Sequence, residues 1–269
     1  MGAEDLVRHM TAALADHHAM RGLFLGGSFG SGEADAFSDL DFILLADPSS
    51  HDELEGAWCK AVEAYAPVVF WNRRSGNGIL LLNAITERWV RCDVYLTRPS
   101  DFARRARNQV RPIIDRDGAY ESLPQALPLR APDPQRVSYL VNEFIRVLGL
   151  MHVGLGRGEY FLLAGKGLGH LRDLLTSLLL EKVTVPDRGG ALHLSRLLPA
   201  EELQMLNALP FPPPQREAVI EAHLAFARAF FPRARSLVEE LGLEWPEAFE
   251  AATRNFLLEA VGTGWDLRW

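Results

Sequence analysis

Apolar side chains at the beginning of the chain occur first at helical spacing and then in short continuous runs. The helical spacing covers residues 4–20, and the run RGLFLGG at 21–27 is typical of a short buried strand that breaks at glycine. LDFILLA at 40–46 predicts a second strand, and HDELEGAWCKAVEAYA at 51–66 has the periodicity of a second helix. The predicted order is therefore helix, strand, loop, strand and helix.

Three further strands are predicted before residue 100. VVFWNR and GILLLNAI are β-rich runs, and the polar, glycine-containing turn between them predicts a hairpin. RWVRCDVYL predicts a strand whose side chains alternate between two faces. One face carries Trp89, Arg91, Asp93 and Tyr95, and the other carries Val90, Cys92, Val94 and Leu96. The apolar set predicts the core face, so Asp93 points to the side where a functional site can lie.

Prolines interrupt the chain at 122–135, where SLPQALPLRAPDPQ has the composition of a linker. Beyond this segment the apolar residues follow helical spacing and no run predicts a strand. The predicted helices are 138–156, 161–183, 199–209, 215–242 and 246–262. We therefore predict an α+β protein, with a small mixed-sheet domain at 1–124 followed by an all-α helical bundle domain at 135–269.

Charge and composition limit the partners of the chain. Its 269 residues carry a net charge of -7, so it lacks the broad positive field that non-specific nucleic-acid binding needs, and a nucleic-acid partner is disfavoured. The amino terminus MGAEDLVRHM is acidic and no signal-peptide core follows it. The longest apolar stretch, at 174–180, is too short to span a bilayer. We expect a cytoplasmic protein with no membrane partner.

Asp39 and Asp41 are the first candidates for chemistry. Residues two apart in a strand project from the same face, roughly 7 Å apart, so both carboxylates can contact the same divalent cations. Such close negative charges are costly without a cation, and Mg2+ prefers oxygen ligands together with substrate phosphates. The alternative is that both residues form only the polar edge of a strand.

The preceding loop contains Gly26, Gly27 and Ser28, which allow the backbone to approach an anion closely. Their N–H groups and the Ser28 hydroxyl suit a triphosphate, although the loop matches neither a P-loop nor GxGxxG. Asp93 is a candidate third carboxylate, either as a metal ligand or as the base that takes a proton from an attacking hydroxyl. Its alternative is an ordinary acid on an exposed strand face.

These residues together resemble a known family. Gly27-Ser28, ten intervening residues, Asp39-Leu40-Asp41 and the later Asp93 in RCDVYL are similar to the signature of the polymerase-beta-type nucleotidyltransferase superfamily. Within it the chain looks most like the lincosamide and, more distantly, the aminoglycoside antibiotic nucleotidyltransferases. The resemblance covers most of the chain, through GSFGSGEADAFSDLDF, IIDRDG and GRGEYFLLAGKGLGHLRDLL. It implies a catalytic nucleotidyltransferase domain followed by a helical bundle.

The resemblance also implies an activity and roles for the residues that match. The reaction is Mg2+-dependent transfer of a nucleoside monophosphate, usually AMP, from ATP or another nucleoside triphosphate to a hydroxyl, with release of pyrophosphate. Gly27 and Ser28 would bind the triphosphate. Asp39 and Asp41, with Asp93, would hold two Mg2+ ions, and Asp93 would be the general base.

The segment RGEY at 157–160 matches a piece of the helical domain that borders the cleft in the family, and this match adds three candidates in the helical half. Glu159 and Tyr160 would contact the acceptor, and Lys166 would contact the phosphates, although a solvated lysine is an equal alternative. The acceptor would be a small molecule with a hydroxyl group, such as a lincosamide or an aminoglycoside, and the role would then be antibiotic resistance; a housekeeping substrate is equally consistent. Related enzymes often complete this cleft with a second chain, so a homodimer is one expected arrangement.

Two other functions stay open at this point. One is a protein of the same fold that binds nucleotide without useful transfer and regulates a protein partner; the three intact carboxylates argue against it. The other is a polynucleotide-directed polymerase, which the acidic charge and the lack of a basic tract interleaved with aromatic residues disfavour.

Overall fold

The computed structural model describes residues 2–186 and 194–269. The chain divides into two compact units, Met1–Pro128 and Leu129–Trp269. The first unit combines a mixed sheet with helices, and every regular element described in the second unit is helical. The predicted α+β class, a small mixed sheet followed by helices, is confirmed.

The first unit contains six strands that form one sheet. Its elements are α1 (Ala3–Leu14), β1 (Gly22–Leu25), α2 (Gly27–Ser31), β2 (Leu40–Leu45), α3 (His51–Tyr65), β3 (Val68–Gly76), β4 (Ile79–Thr86), β5 (Arg91–Thr97), α4 (Pro99–Phe102) and β6 (Arg111–Asp115). The strand order is β3-β4-β5-β2-β1-β6. β2 and β5 run parallel, and every other neighbouring pair is antiparallel. The chain between β2 and β5 therefore passes through α3 and the β3-β4 hairpin.

One face of the sheet is covered by α1 and α3. Apolar residues of these helices, including Met10 and Trp58, pack against alternate residues of the central strands. Cys92, Val94 and Leu96 are completely buried there, which confirms the predicted core face of β5. Because strand side chains alternate, the residues between them point to the opposite face of the sheet.

The opposite face is only partly covered. A smaller apolar cluster lies over β1 and the carboxyl-terminal part of β2, and it consists of Phe24, Ile43, Leu45, Phe102, Val110 and Leu123. Asp41, at the beginning of β2, is not part of this cluster and is half-buried. At the amino-terminal end of β2, this face of the sheet therefore has room for polar side chains.

The first helix is shorter than the sequence predicted and ends at Leu14. The Arg116 guanidinium donates hydrogen bonds to the backbone carbonyls of Ala15, His17 and Met20 at 2.6–2.9 Å. These carbonyls are therefore satisfied outside a helix, and the segment turns directly into β1. Helical spacing alone cannot reveal where α1 ends, because Arg116 is about 100 residues further along the chain.

The turns of the sheet also refine the prediction. The β3-β4 hairpin closes on Asn77 and Gly78, whose φ angles of 53° and 76° are those of a two-residue turn with both central residues left-handed. Trp89 was predicted within a strand, but it lies in the turn before β5 at φ 59°. β6 was not predicted, because it has only five residues and its first two are exposed.

The second unit is a helical bundle in the residues described. Its helices are α5 (Pro134–Gly156), α6 (Tyr160–Leu162), α7 (Leu168–Glu181), α8 (Leu194–Leu197), α9 (Ala200–Ala208), α10 (Arg216–Glu240) and α11 (Glu247–Val261). α5 begins at Pro134 because the Asp133 carboxylate accepts hydrogen bonds from the first free backbone N–H groups of the helix. Phe144 and Phe230 stack at the centre of the core, with ring centroids 3.7 Å apart. None of the described helices is both long and apolar enough to cross a membrane.

Substitution of Gly30 by alanine tests how tightly α2 is packed. A Cβ atom at this position would meet the backbone carbonyl oxygens of Gln109 and Leu25, which cannot move without shifting the sheet. We expect Gly30→Ala to destabilise the first unit by roughly 1–3 kcal/mol in urea unfolding. Gly56→Ala is the control, since nothing lies near its Cβ and the change in helix propensity should stabilise α3 by up to about 1 kcal/mol. Equal stability of the two variants would contradict the packing.

Candidate active site

Strand register brings the candidate carboxylates together. Asp41 of β2 is directly opposite Asp93 of β5 in the parallel pair, and Asp93 is opposite Asn83 of β4. Residues paired in this way share one face of a sheet, and here it is the face away from α1 and α3. The three polar side chains therefore form a row across three adjacent strands.

A chain of amide hydrogen bonds fixes one end of this row. Asn83 donates from its side-chain amide to Oδ2 of Asp93 at 2.7 Å. Asn72, opposite Asn83 on β3, donates in turn to the Asn83 amide oxygen at 3.1 Å. The Asn83 amide is thereby oriented with its NH2 group toward the carboxylate, so Asp93 is held by neighbours on the sheet itself.

Asp39 lies immediately before β2 and completes the acidic cluster. Its carboxylate is 3.3 Å from the Arg91 guanidinium, in an ion pair whose two side chains are both about one third exposed. Arg91 also donates a hydrogen bond to the backbone carbonyl of Phe37 at 2.9 Å. Arg91 thus ties the loop before β2 to the start of β5, where Asp93 lies two residues further on.

The electrostatics of the site show an excess of negative charge. Burial, followed by the charges of Asp39 and Asp93, raises the pKa of Asp41 to about 6, although Arg105 and Arg91 oppose this rise. Burial also raises the pKa of Asp93, while the hydrogen bond from Asn83 acts in the opposite direction. The arginines therefore compensate only part of the charge that the carboxylates carry.

The glycine loop approaches the carboxylates closely. Gly27 begins α2 at φ 53°, and a side chain there would collide with the Asp41 carboxylate. Gly26 donates its backbone N–H to the Asp41 carbonyl oxygen at 2.8 Å, which fixes the loop to the start of β2. Ser28 follows Gly27 and is half-buried. The first residues of a helix have backbone N–H groups without partners inside the helix, so this turn offers donors beside the acidic cluster.

The donor set fits a magnesium ion. Asp39, Asp41 and Asp93 supply only oxygen atoms, which hard cations prefer, and none of the three is fully exposed. A divalent cation would relieve the repulsion that, after burial, raises the pKa of Asp41. Asp39, Asp41 and Asp93 are therefore the residues on this face whose donor atoms suit Mg2+.

A cleft of about 430 Å³ is lined by Ser38 and Leu40, the neighbours of Asp39 in sequence. Its lining includes Phe29, Phe37, Trp89 and Arg91, and the side chains of Phe37 and Trp89 are 87% and 74% exposed. Large aromatic side chains this exposed can stack on a planar or apolar group of a ligand.

The three candidates from the helical half lie in the second unit. Glu159 is exposed and immediately precedes α6, which begins at Tyr160. Tyr160 is partly packed against the helical core, and Lys166 is exposed. Lys166 lies in a π-helical turn, Leu163–Gly167, that joins α6 to α7, and such turns occur often at functional sites.

Sequence reasoning gave no role to several residues that the fold brings to the site. These are Asn72, Asn83, Arg91 and Arg105. Arg91 and Asp93 could have been linked, because both were placed on one face of the same strand. An asparagine in an apolar strand such as ILLLNAIT is a further signal, since a polar side chain in a half-buried strand usually has a partner.

The pH dependence of stability tests the charge excess in the metal-free protein. The pKa of Asp41 is about 6 in the folded chain and near 3.8 when unfolded, so the contribution of Asp41 to stability falls as the pH rises from about 4 through 6. We expect Asp41→Asn to be more stable than wild type above pH 6, by up to about 3 kcal/mol, with no difference near pH 4. The exposed Asp52→Asn controls for net charge. A difference that does not change with pH would contradict the shifted pKa.

The chain is similar to known proteins in structure but not detectably in sequence. No family model matches the chain, and no curated protein matches its sequence significantly. An aminoglycoside 6-adenyltransferase from Bacillus subtilis aligns over 96% of this chain and 98% of its own, with 14% identity and a TM-score of 0.44. A nucleotidyltransferase-like protein from Exiguobacterium sibiricum aligns over 100% of this chain and 82% of its own, with 13% identity and a TM-score of 0.35.

Proposed function

We propose that this chain is a nucleotidyltransferase of the polymerase-beta type, which transfers a nucleoside monophosphate, AMP by preference, from a nucleoside triphosphate to a hydroxyl of a small molecule. The observation that carries the proposal is the register of β2 and β5, which sets Asp41 beside Asp93, with Asp39 one residue before the strand. Three carboxylates beside a glycine turn suit the handling of a metal-bound triphosphate. The resemblance of the motif from Gly27 to Asp41 points to the same chemistry.

Binding of the triphosphate is assigned to the turn that begins α2. Gly27 has no side chain, so the backbone can lie against both Asp41 and a phosphate. The Ser28 hydroxyl and the N–H groups of the turn would donate hydrogen bonds to phosphate oxygens. Asp39 and Asp41 would hold Mg2+, which would neutralise charge on the phosphates. Arg91 would keep the Asp39 carboxylate next to the strand until the metal and the nucleotide bind.

Proton transfer is assigned to Asp93. The acceptor hydroxyl attacks the α-phosphorus, pyrophosphate leaves, and the hydroxyl proton passes to a carboxylate. Asn83 engages Oδ2 of Asp93, so we assign the proton to Oδ1. With Mg2+ bound, Asp93 would stay ionised and would accept the proton only as the attack proceeds.

The acceptor class and the helical-half residues are carried over from the resemblance. Glu159 and Tyr160 are proposed to contact the acceptor, and Lys166 is proposed to contact a phosphate. A lincosamide or an aminoglycoside is the acceptor to test first, and either one would imply a role in antibiotic resistance. A homodimer is the proposed oligomeric state.

The first test is binding and turnover of the purified full chain. Nucleoside triphosphates are titrated with and without Mg2+, and pyrophosphate release is then measured against lincosamides, aminoglycosides and a panel of hydroxylated metabolites. We expect Mg2+-dependent binding and release with one acceptor class. We also expect Asp39→Asn, Asp41→Asn and Asp93→Asn to lower turnover by roughly 100-fold or more.

Glu33→Gln is the matched control for these variants, because Glu33 is an exposed acid of the same loop outside the acidic cluster. It should retain turnover. Wild-type turnover in the Asp41 variant would overturn the assignment of the site. Mg2+-dependent binding without release from any acceptor would favour the regulatory nucleotide-binding protein instead.

Removal of the Asn83 amide tests how Asp93 is positioned. We expect Asn83→Leu, which keeps the approximate volume, to lower kcat by roughly 10- to 100-fold with a small change in KM for the nucleotide, because Asp93 loses the donor that orients it. Asn72→Leu should have a smaller effect, since it acts through Asn83. Equal losses in both variants, or a change confined to KM, would contradict this role.

A further inference from the structure

A second cluster of ligand-type side chains lies at the other end of the sheet from the acidic residues. It consists of His17 and His18, in the loop between α1 and β1, and Glu53, in the first turn of α3. Each side chain has one ligand atom within 4.8 Å of those of the other two. β1 and β2 are antiparallel, with Gly22 opposite Leu45, so this loop enters the sheet at the end of β1 opposite the one that reaches Asp41.

The distances within the cluster are close to those of a metal site. Nε2 of His17 is 3.5 Å and Nδ1 of His18 is 3.7 Å from the same carboxylate oxygen of Glu53. A tetrahedral zinc ion with ligand bonds of about 2.1 Å separates its ligand atoms by about 3.4 Å. The two contacts to Glu53 therefore need to shorten only slightly around an ion, and they are too long to be good hydrogen bonds.

The two imidazole rings already share an orientation. Their centroids are 5.4 Å apart and their planes differ by only 9°. Nδ1 of His17 is buried and has no hydrogen-bond partner among the residues described, which leaves Nε2 as the ring nitrogen that can bind a ligand. Both histidines thus present a nitrogen toward the Glu53 carboxylate.

The loop that carries the histidines is held in place by hydrogen bonds. Arg116 donates to the carbonyls of Ala15, His17 and Met20, so the backbone on both sides of His18 is fixed. Glu53 is on α3, a helix of 15 residues whose apolar face is buried in the core of the first unit. The backbone would therefore lose little conformational freedom when the three side chains close on an ion, and this favours binding.

We propose that His17, His18 and Glu53 bind a transition-metal ion, Zn2+ by preference, as a clip between the α1-β1 loop and α3. Two imidazole nitrogens and one carboxylate are a common zinc ligand set with a fourth position for water. Imidazole suits Zn2+, whereas Mg2+ prefers oxygen ligands, so this site and the acidic cluster would select different metals. The ion would link residues far apart in sequence and stabilise the first unit by mass action.

The test measures zinc binding and needs no nucleotide or turnover. Zn2+ is titrated calorimetrically into the full chain in a large excess of Mg2+, which occupies oxygen-only sites, and unfolding is followed with and without Zn2+. We expect one zinc ion per chain and a raised Tm. His18→Asn and Glu53→Gln, both at exposed side chains that tolerate substitution, should each weaken binding by about tenfold or more and abolish the rise in Tm.

His170→Asn is the matched control. His170 lies 3.8 Å from Glu143 in a pair of the same kind, and within residues 2–186 and 194–269 no second imidazole joins it, so its loss should leave zinc binding unchanged. Absorption bands of bound Co2+ typical of tetrahedral nitrogen and oxygen ligands should appear in wild type and disappear in the His18 variant. Zinc binding that is absent, or that His18→Asn and Glu53→Gln do not weaken, would overturn the proposal while leaving the proposed nucleotidyl transfer untouched.

Discussion

The parallel pairing of β2 with β5 sets the constraint on which the site depends. It places Asp41 next to Asp93 on a half-buried face, where burial and mutual repulsion both disfavour the ionised forms. Arg91, Arg105 and Asn83 offset part of this cost through charge and hydrogen bonding. Under the proposed function, the remaining excess of charge would favour a bound cation, because a site that is fully neutralised by its own side chains would gain little from a metal.

The two faces of the sheet differ in composition: one carries the apolar core and the other carries the candidate site. On one face the central strands are buried under α1 and α3, and this apolar core supplies the stability that the repulsive carboxylates take away. The other face has a small apolar cluster at one end and polar side chains at the other. Gly27 lies at the polar end, since only a residue without a side chain allows the loop to lie against Asp41. The apolar side chains that stabilise the fold and the carboxylates of the site thus lie on opposite faces of one sheet.

The first unit also separates two kinds of ligand chemistry along its central strands. The carboxylates around Asp41 lie where β2 begins, and the imidazoles of His17 and His18 lie where the chain enters β1. The antiparallel pairing of these strands puts the two groups at opposite ends of the sheet. Under the two proposals, the oxygen donors at one end and the set of two imidazoles and one carboxylate at the other would bind cations of different hardness, so the two sites would not compete for one ion.

Alternation and local composition are properties of neighbouring residues, so the sequence alone predicted the class of fold and the core face of β5, and it proposed Asp39, Asp41 and Asp93 as metal ligands. Tertiary structure decided which side chains meet. Only the strand order could pair Asn83 with Asp93, and only packing from a distant part of the chain could end α1 through Arg116. Register and long-range hydrogen bonds join residues that are far apart in sequence, and periodicity carries no information about such partners.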